Sequence, residues 1–336
     1  MSHTVSPGAR SLIRRSGISA FLAFAMVAPV LAAEAVPPNQ SPQDLVDALH
    51  SAFGNHHARA VHAKGIILTG SFTPTKEASR LSKAPIFQGG ALPATVRFSD
   101  FTGIPDIPDT DGNANPRGFA VKITAKDGTA VDIVNHSFNG FPVATGDEFA
   151  VFLRAVGASG PGVAHPTPIE QFLATHPVAK AFLTTQKPPP ASYATAAYFG
   201  VNAFKYTNVK NRSAYVRYRF VPSGGEHYLT SEELKSKGPT YLQEEIAARI
   251  AKGPVAFDWY AQIAQSGDEI GNPSIAWPDS RKLVKLGTIS ITAIAGPAMD
   301  KQTLFLPGES HPGIEPADPM LTLRNKAYPI SFQQRQ

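Results

Sequence analysis

The chain has 336 residues, of which 43% are hydrophobic and 17% charged, with a formal net charge of +5. This composition gives a globular protein material for a substantial core, and the lack of any basic run interleaved with aromatics argues against a nucleic-acid partner. Cysteine is absent, which excludes disulfides, thiolate metal sites, iron–sulfur clusters and cysteine nucleophiles.

Residues 1–35 read as a signal peptide. Arg10, Arg14 and Arg15 precede an apolar run from Ile18 to Leu31, and small residues follow at Ala32, Ala33 and Ala35. A charged n-region, a short h-region and an A-x-A-like site are the marks of a cleaved secretory signal. The h-region is too short for a membrane span, so no stable membrane anchor is expected. The pair Arg14-Arg15 suggests the twin-arginine route. The expected location is periplasmic or secreted, and the mature domain is expected over residues 36–336. Three arginines and one glutamate leave with the signal, so +5 less +2 gives about +3 for the mature chain.

Ser41-Pro42-Gln43-Asp44 opens a helix with Ser at the N-cap, Pro at N1 and an acid in the first turn. Leu45, Leu49, Ala52 and Phe53 form its apolar face. Strands follow over 65–72, 94–99 and 118–123, then over 131–134 after the turn Lys126-Asp127-Gly128. Residues 146–186 read as helical in at least two segments, until Lys187 and three prolines break the pattern. Strands return over 203–207 and 214–220, where Val216 and Phe220 alternate with Arg217 and Arg219. A helix over 231–251 and a strand over 287–292 complete this part. Successive strands joined by turns favour antiparallel pairing. The predicted fold is therefore α+β, an antiparallel β-barrel with added helices.

Arg324 and Tyr328 are one helical turn apart near the C-terminus, and Pro329 predicts that the helix ends at Tyr328. A guanidinium one turn away favours an ionised phenol, and a phenolate is a hard anionic ligand suited to ferric iron. His62 lies just before the first strand and Ser99 at the end of the second. A hydroxyl on one imidazole nitrogen would fix the tautomer and leave the other nitrogen free as a base. His56-His57 is a loose pair at a helix end and reads as solvent-facing. No Gly-rich phosphate loop, G-x-S-x-G elbow or H-E-x-x-H helix is present.

Five blocks resemble the haem catalase superfamily, in order and spread over residues 59–335. They are Val61-His62-Ala63-Lys64-Gly65; Arg97-Phe98-Ser99 followed by Asn115-Pro116-Arg117-Gly118-Phe119-Ala120-Val121-Lys122; Asp132-Ile133-Val134 with Phe141 and Phe149; Tyr198-Phe199-Gly200 through Phe204-Lys205; and Pro312-Gly313-Ile314-Glu315-Pro316 followed by Arg324-x-x-x-Tyr328-Pro329. The chain looks like the minimal, exported catalase-related peroxidases, without the further parts of large catalases.

The resemblance implies haem b with Tyr328 as the iron ligand and Arg324 holding it. His62 would be the distal base and Ser99 its partner. Arg59, Arg97 and Arg335 match arginines that pair with the haem propionates, and Phe149 matches a ring against the distal haem face. Where catalases carry a distal asparagine, an ungapped reading puts His136, with Asn135 beside it and Asn139 three residues on. The implied activity is reduction of hydrogen peroxide or an organic hydroperoxide through an oxoferryl intermediate, with a small organic electron donor. True catalase dismutation, a haem-dependent lyase or isomerase of lipid hydroperoxides, and a haem carrier are the alternatives. The donor and the oligomeric state stay open.

Overall fold

In a computed structural model that describes residues 40–336, eight antiparallel strands close into a barrel. They are β1 (Gly65–Pro74), β2 (Leu92–Ser99), β3 (Gly118–Thr124), β4 (Ala130–His136), β5 (Tyr198–Thr207), β6 (Ser213–Pro222), β7 (Val255–Ile263) and β8 (Leu283–Ile294). Their spatial order is β4-β3-β2-β1-β8-β7-β6-β5, and a β4–β5 pairing closes the ring. That closing contact is a single residue pair, His136 with Phe199. A short β9 (Ile314–Pro316) pairs with the outer side of β5. Residues 40–336 form one compact unit, and the expected signal peptide lies outside the described residues.

The interior is aromatic. Phe98, Phe119, Tyr198 and Phe257 pack together, and Trp259 lies among Phe72, Phe87, Tyr218 and Phe220 at ring separations of 5.2–5.6 Å. Strand β7 supplies Phe257 and Trp259, although no strand was expected there. Its signal was plain alternation: Val255, Phe257, Trp259 and Ala261 are buried, with less hydrophobic or longer side chains between. On β6, Val216 and Phe220 face inward as expected, and Tyr218 between them does too. Arg217, on the other face, is also buried. It donates to the carbonyls of Glu269, Asn272 and Ile275 and lies over the Trp277 ring, so a loop covers it.

Helices precede, connect and follow the strands. The first, α1 (Pro42–Phe53), starts with the expected cap, a full box in which Ser41 and Asp44 serve each other's backbone. Then come α2 (Lys76–Leu81), α3 (Gly146–Gly157), α4 (Pro168–Thr175) and α5 (Pro177–Thr184). The helix expected over 231–251 is two, α6 (Ser231–Lys235) and α7 (Tyr241–Ile250), because Gly238-Pro239 breaks the ladder between them. After α8 (Pro297–Gln302) comes α9 (Pro319–Gln334). This last helix does not end at Tyr328; it runs through Pro329. Proline removes one ladder donor, but the turns beyond it are tied elsewhere. Ser331 Oγ accepts from the backbone of Ala60 at 3.1 Å, and Arg335 Nη2 donates to the Thr303 carbonyl at 2.8 Å.

Trp259 is fully buried, and its indole N–H has no partner among the described residues. Trp259→Ala should cost about 3–5 kcal/mol in denaturant unfolding. Trp259→Phe should cost far less, because it also removes a buried donor that makes no hydrogen bond.

Candidate active site

Strand register builds the floor of a deep cavity. Ser99, Gly118 and His136 stand side by side on β2, β3 and β4, with Arg97, Ala120 and Val134 in the next row. All six line the cavity. Phe98 and Phe119, between them in sequence, and Ile133, just before Val134, belong to the barrel core, as the two-residue period requires. Small residues in the middle strand make the space. A Cβ on Gly118 would stand 2.7 Å from His62 Nδ1, closer than such an atom can lie.

His62 reaches this floor from the loop between α1 and β1. Its φ is +58°, a left-handed conformation that is costly for a residue with a Cβ. Backbone bonds hold it there: His62 N donates to the Phe101 carbonyl at 3.0 Å and Ala63 N to that of Thr102 at 2.9 Å. Ser99 Oγ lies 3.1 Å from Nδ1, so Nε2 is the free ring nitrogen. The Phe101 ring meets the imidazole edge-on at 5.5 Å. Burial first, then His136 and Arg97, push the His62 pKa down to about 3. The ring is neutral at any ordinary pH.

His136 is the second imidazole. Alternation along β4 puts it on the cavity side with Val134, whereas Asn135 is 2% exposed and donates its amide to the Phe119 carbonyl at 3.1 Å. The backbone N–H of Phe138 donates to His136 Nδ1 at 3.3 Å, which places the ring proton of the neutral form on Nε2. That Nε2 is buried with no protein partner among the described residues. Burial, then Arg324, push the His136 pKa to about 3. The floor of the cavity thus carries one free nitrogen on His62 and one unpaired donor on His136.

The opposite component comes from α9. Arg324, Ala327, Tyr328, Ser331 and Arg335 recur at helical spacing and line the cavity along one face. Arg324 donates to the Tyr328 oxygen twice, from Nε at 3.0 Å and from Nη2 at 2.6 Å. Its remaining fork donates to Asn202 Oδ1 at 2.5 Å, and Asn202 donates to Asp318 Oδ2 at 2.7 Å. Asp318 also caps α9, accepting from Met320 N. Asn202 and Asp318 were not singled out in the sequence. Their signal, an amide on one strand facing a carboxylate over a hundred residues away, needs the fold.

At the rim, Arg59, Arg97 and Arg335 surround one carboxylate. Asp300 on α8 pairs with Arg59 at 3.0 Å and with Arg97 at 2.7 Å. Burial and then the neighbouring Arg97 push the Arg59 pKa to about 8. A guanidinium keeps its proton in proteins, so relief of this crowding must come from anions. Phe149 of α3 lines the same cavity beside Phe141. All nine residues singled out as site candidates line it. His56 does not; it is exposed and bonds the Phe53 carbonyl.

These residues suit a haem. The cavity lies between the His62–His136 floor on one side and the Tyr328 face of α9 on the other. The Tyr328 oxygen accepts both Arg324 donors, so its own hydroxyl proton is not needed to hold it. Three rim arginines against one aspartate leave two positive charges, which the two carboxylates of a haem would cancel.

A closed antiparallel barrel with this tyrosine–arginine helix across a large apolar cavity defines the catalase class of fold and pocket. The chain belongs to the catalase family: the family's sequence model, described as Catalase, matches residues 55–336. It is 36% identical over 305 residues to a catalase-related peroxidase of Mycolicibacterium paratuberculosis, covering 88% of this chain and 95% of that one. A catalase-related peroxidase of Synechococcus elongatus is 34% identical over 305 residues, with 88% of each chain covered. A fungal catalase structure superposes with a TM-score of 0.73 at 24% identity, over 83% of this chain. The chain spans 59% of that catalase's length, and the likeness shows the fold. Proteins of the family bind haem.

The two imidazoles make stability pH-dependent. Unfolded histidine takes a proton near pH 6.5, whereas the folded rings take one only near pH 3. Between those values the unfolded state binds more protons, so this contribution falls as pH falls. The stability difference between wild type and a His62→Gln/His136→Gln variant should be flat above about pH 7 and change steadily from 6.5 towards 3 in denaturant titrations.

Proposed function

We infer that the protein is a haem peroxidase that reduces hydrogen peroxide or an organic hydroperoxide with electrons from a small organic donor, and that its haem is haem b. The observation that carries this reading is the pair of neutral imidazoles, one with a free nitrogen and one with a fixed N–H, in a cavity whose other wall carries the Arg324–Tyr328 pair. Tyr328 would hold the iron through its oxygen, and Arg59 and Arg335 would meet the haem carboxylates as planar charged donors. When bound, haem supplies a redox-active iron at which the O–O bond is cleaved.

The chain's own part is proton handling. His62 Nε2 takes the proton from one peroxide oxygen and returns it to the departing oxygen. Ser99 keeps Nδ1 occupied, so that Nε2 stays the reactive nitrogen. His136 Nε2–H donates a hydrogen bond to the peroxide and cannot act as a base in that tautomer. In balance, ROOH with two electrons and two protons from the donor gives ROH and water. His136 stands where an ungapped reading places the asparagine of catalases, which supports peroxidase turnover over dismutation.

Oxidation of an aromatic donor, measured beside oxygen evolution, tests this reading. Donor oxidation should dominate, and His62→Ala should retain haem while reacting with peroxide about 10²–10⁴-fold more slowly. Oxygen evolution near the diffusional limit of the fastest enzymes would make the protein a true catalase instead.

Residues 1–35 are proposed to direct export, a reading supported by the three arginines, the apolar run and the small residues that follow. Mass spectrometry of protein from native cells should find an N-terminus within residues 33–36; an intact Met1 or Ser2 would refute export by cleavage.

A further inference from the structure

Arg97 is one of the rim arginines, yet its donors are committed inside the protein. Nη1 donates to the carbonyl of His62 at 2.8 Å, and Nη2 donates to that of Ala63 at 3.0 Å. Nε donates to Asp300 Oδ1 at 2.7 Å. The guanidinium is 3% exposed. Its two forward nitrogens thus clasp the carbonyls of His62, the cavity residue with a left-handed backbone, and of Ala63 next to it. A planar guanidinium has a single orientation once one edge is fixed. Asp300 fixes that edge from α8, 203 residues along the chain from Arg97.

We propose that Asp300 is a positioning residue for His62: it sets the plane of Arg97, and Arg97 in turn holds the strained His62–Ala63 turn so that the imidazole faces the cavity. Three features support this assignment. The His62 turn costs free energy on its own, so it needs ties outside its own segment, and Arg97 supplies two. Burial works against the Asp300 carboxylate, but Arg97, Arg59 and Arg335 together hold its pKa below the ordinary value, so it stays a charged acceptor. The Lys64 ammonium, two residues after His62, is separately buried against Asp109 and two carbonyls. The turn is therefore fixed at its end by Lys64 and at its middle by Arg97. Asp300 links the rim of the cavity to its base.

The inference rests on His62 being the base, and the test separates the two. Three haem-loaded variants are compared with wild type: Asp300→Ala, Asp300→Asn and His62→Ala. The readouts are the rate of reaction with hydrogen peroxide, the rate of cyanide binding followed by absorbance, and the rate of haem transfer to an acceptor protein. Hydrogen cyanide must give up its proton to bind as cyanide, so it reports the base without turnover.

Asp300→Ala should slow peroxide and cyanide together by about 10- to 100-fold, the scale of a displaced catalytic group or lost supporting contact, whatever the shift in haem transfer that follows from freeing Arg59. Asp300→Asn keeps an oxygen acceptor for Arg97 Nε and should recover most of the loss. Equal losses in the two Asp300 variants would show that only the charge matters and would overturn the proposal. So would altered haem transfer with normal peroxide and cyanide rates, which would place Asp300 at the cofactor rim alone. Full rates in Asp300→Ala beside a slow His62→Ala would also overturn it, while leaving the base intact. A fast His62→Ala would refute the base itself and the inference with it.

Discussion

The two-residue period of three neighbouring strands is the constraint on which this molecule depends. β2, β3 and β4 each show one face to an aromatic core and the other to a cavity, so the same seven or eight residues per strand must satisfy both. A slip of one residue in any of them would exchange Ser99 for Phe98 or His136 for Asn135. The barrel core therefore does more than provide stability. Phe98, Phe119 and Ile133, fully buried on the inner face, fix the register that puts Ser99, Gly118 and His136 in one row. Burial of each such side chain contributes about 1.5–3 kcal/mol, and a shifted register would forfeit several at once.

Around that row, polar side chains are held by bonds that span long stretches of chain. A buried cluster on the side of β2 away from the cavity shows the pattern. Asp100 follows Ser99 and pairs with Arg117, which precedes Gly118, while Tyr193 OH donates to the same carboxylate at 3.1 Å. Burial, opposed by Arg117, raises the Asp100 pKa to about 6. Removing one partner from such a network leaves the other charge buried and unpaired, which is far more costly than the pair itself is worth. The segments that flank His62, Ser99 and Gly118 are thereby joined behind the site by charges that water cannot reach.

Much of this was legible in the sequence, and the failures have identifiable causes. Strands β1 to β6 and β8 were visible by alternation and turn residues, β5 only in its second half, and α1 by its cap. The barrel and the candidate residues followed from motifs. Strand β7 carried the same alternation and was passed over. The span 231–251 read as one helix because helix-favouring Glu and Leu residues lie on both sides of Gly238-Pro239. The end of α9 was misplaced for the opposite reason: a local rule about Pro329 gave way to ties made by Ser331 and Arg335. Partners such as Asn202 for Arg324, or Asp300 for Arg97, leave no local trace. They depend on which distant segments the barrel brings together, and single-residue chemistry cannot say which of 26 acidic residues meets a given arginine.

The ring of strands closes through one residue pair, His136 with Phe199. Every other junction in the barrel is a long ladder, where a change of side chain is judged by neighbours on both sides. At the seam, β4 has one long neighbour and one brief contact. The residue that ends β4 therefore sits where side-chain size is least constrained by strand pairing, yet its side chain faces the reaction space. Variation at that position can alter the pocket's hydrogen-bonding character with little penalty to assembly. The barrel carries, at its weakest join, the place where descendants of one scaffold can most cheaply diverge in chemistry.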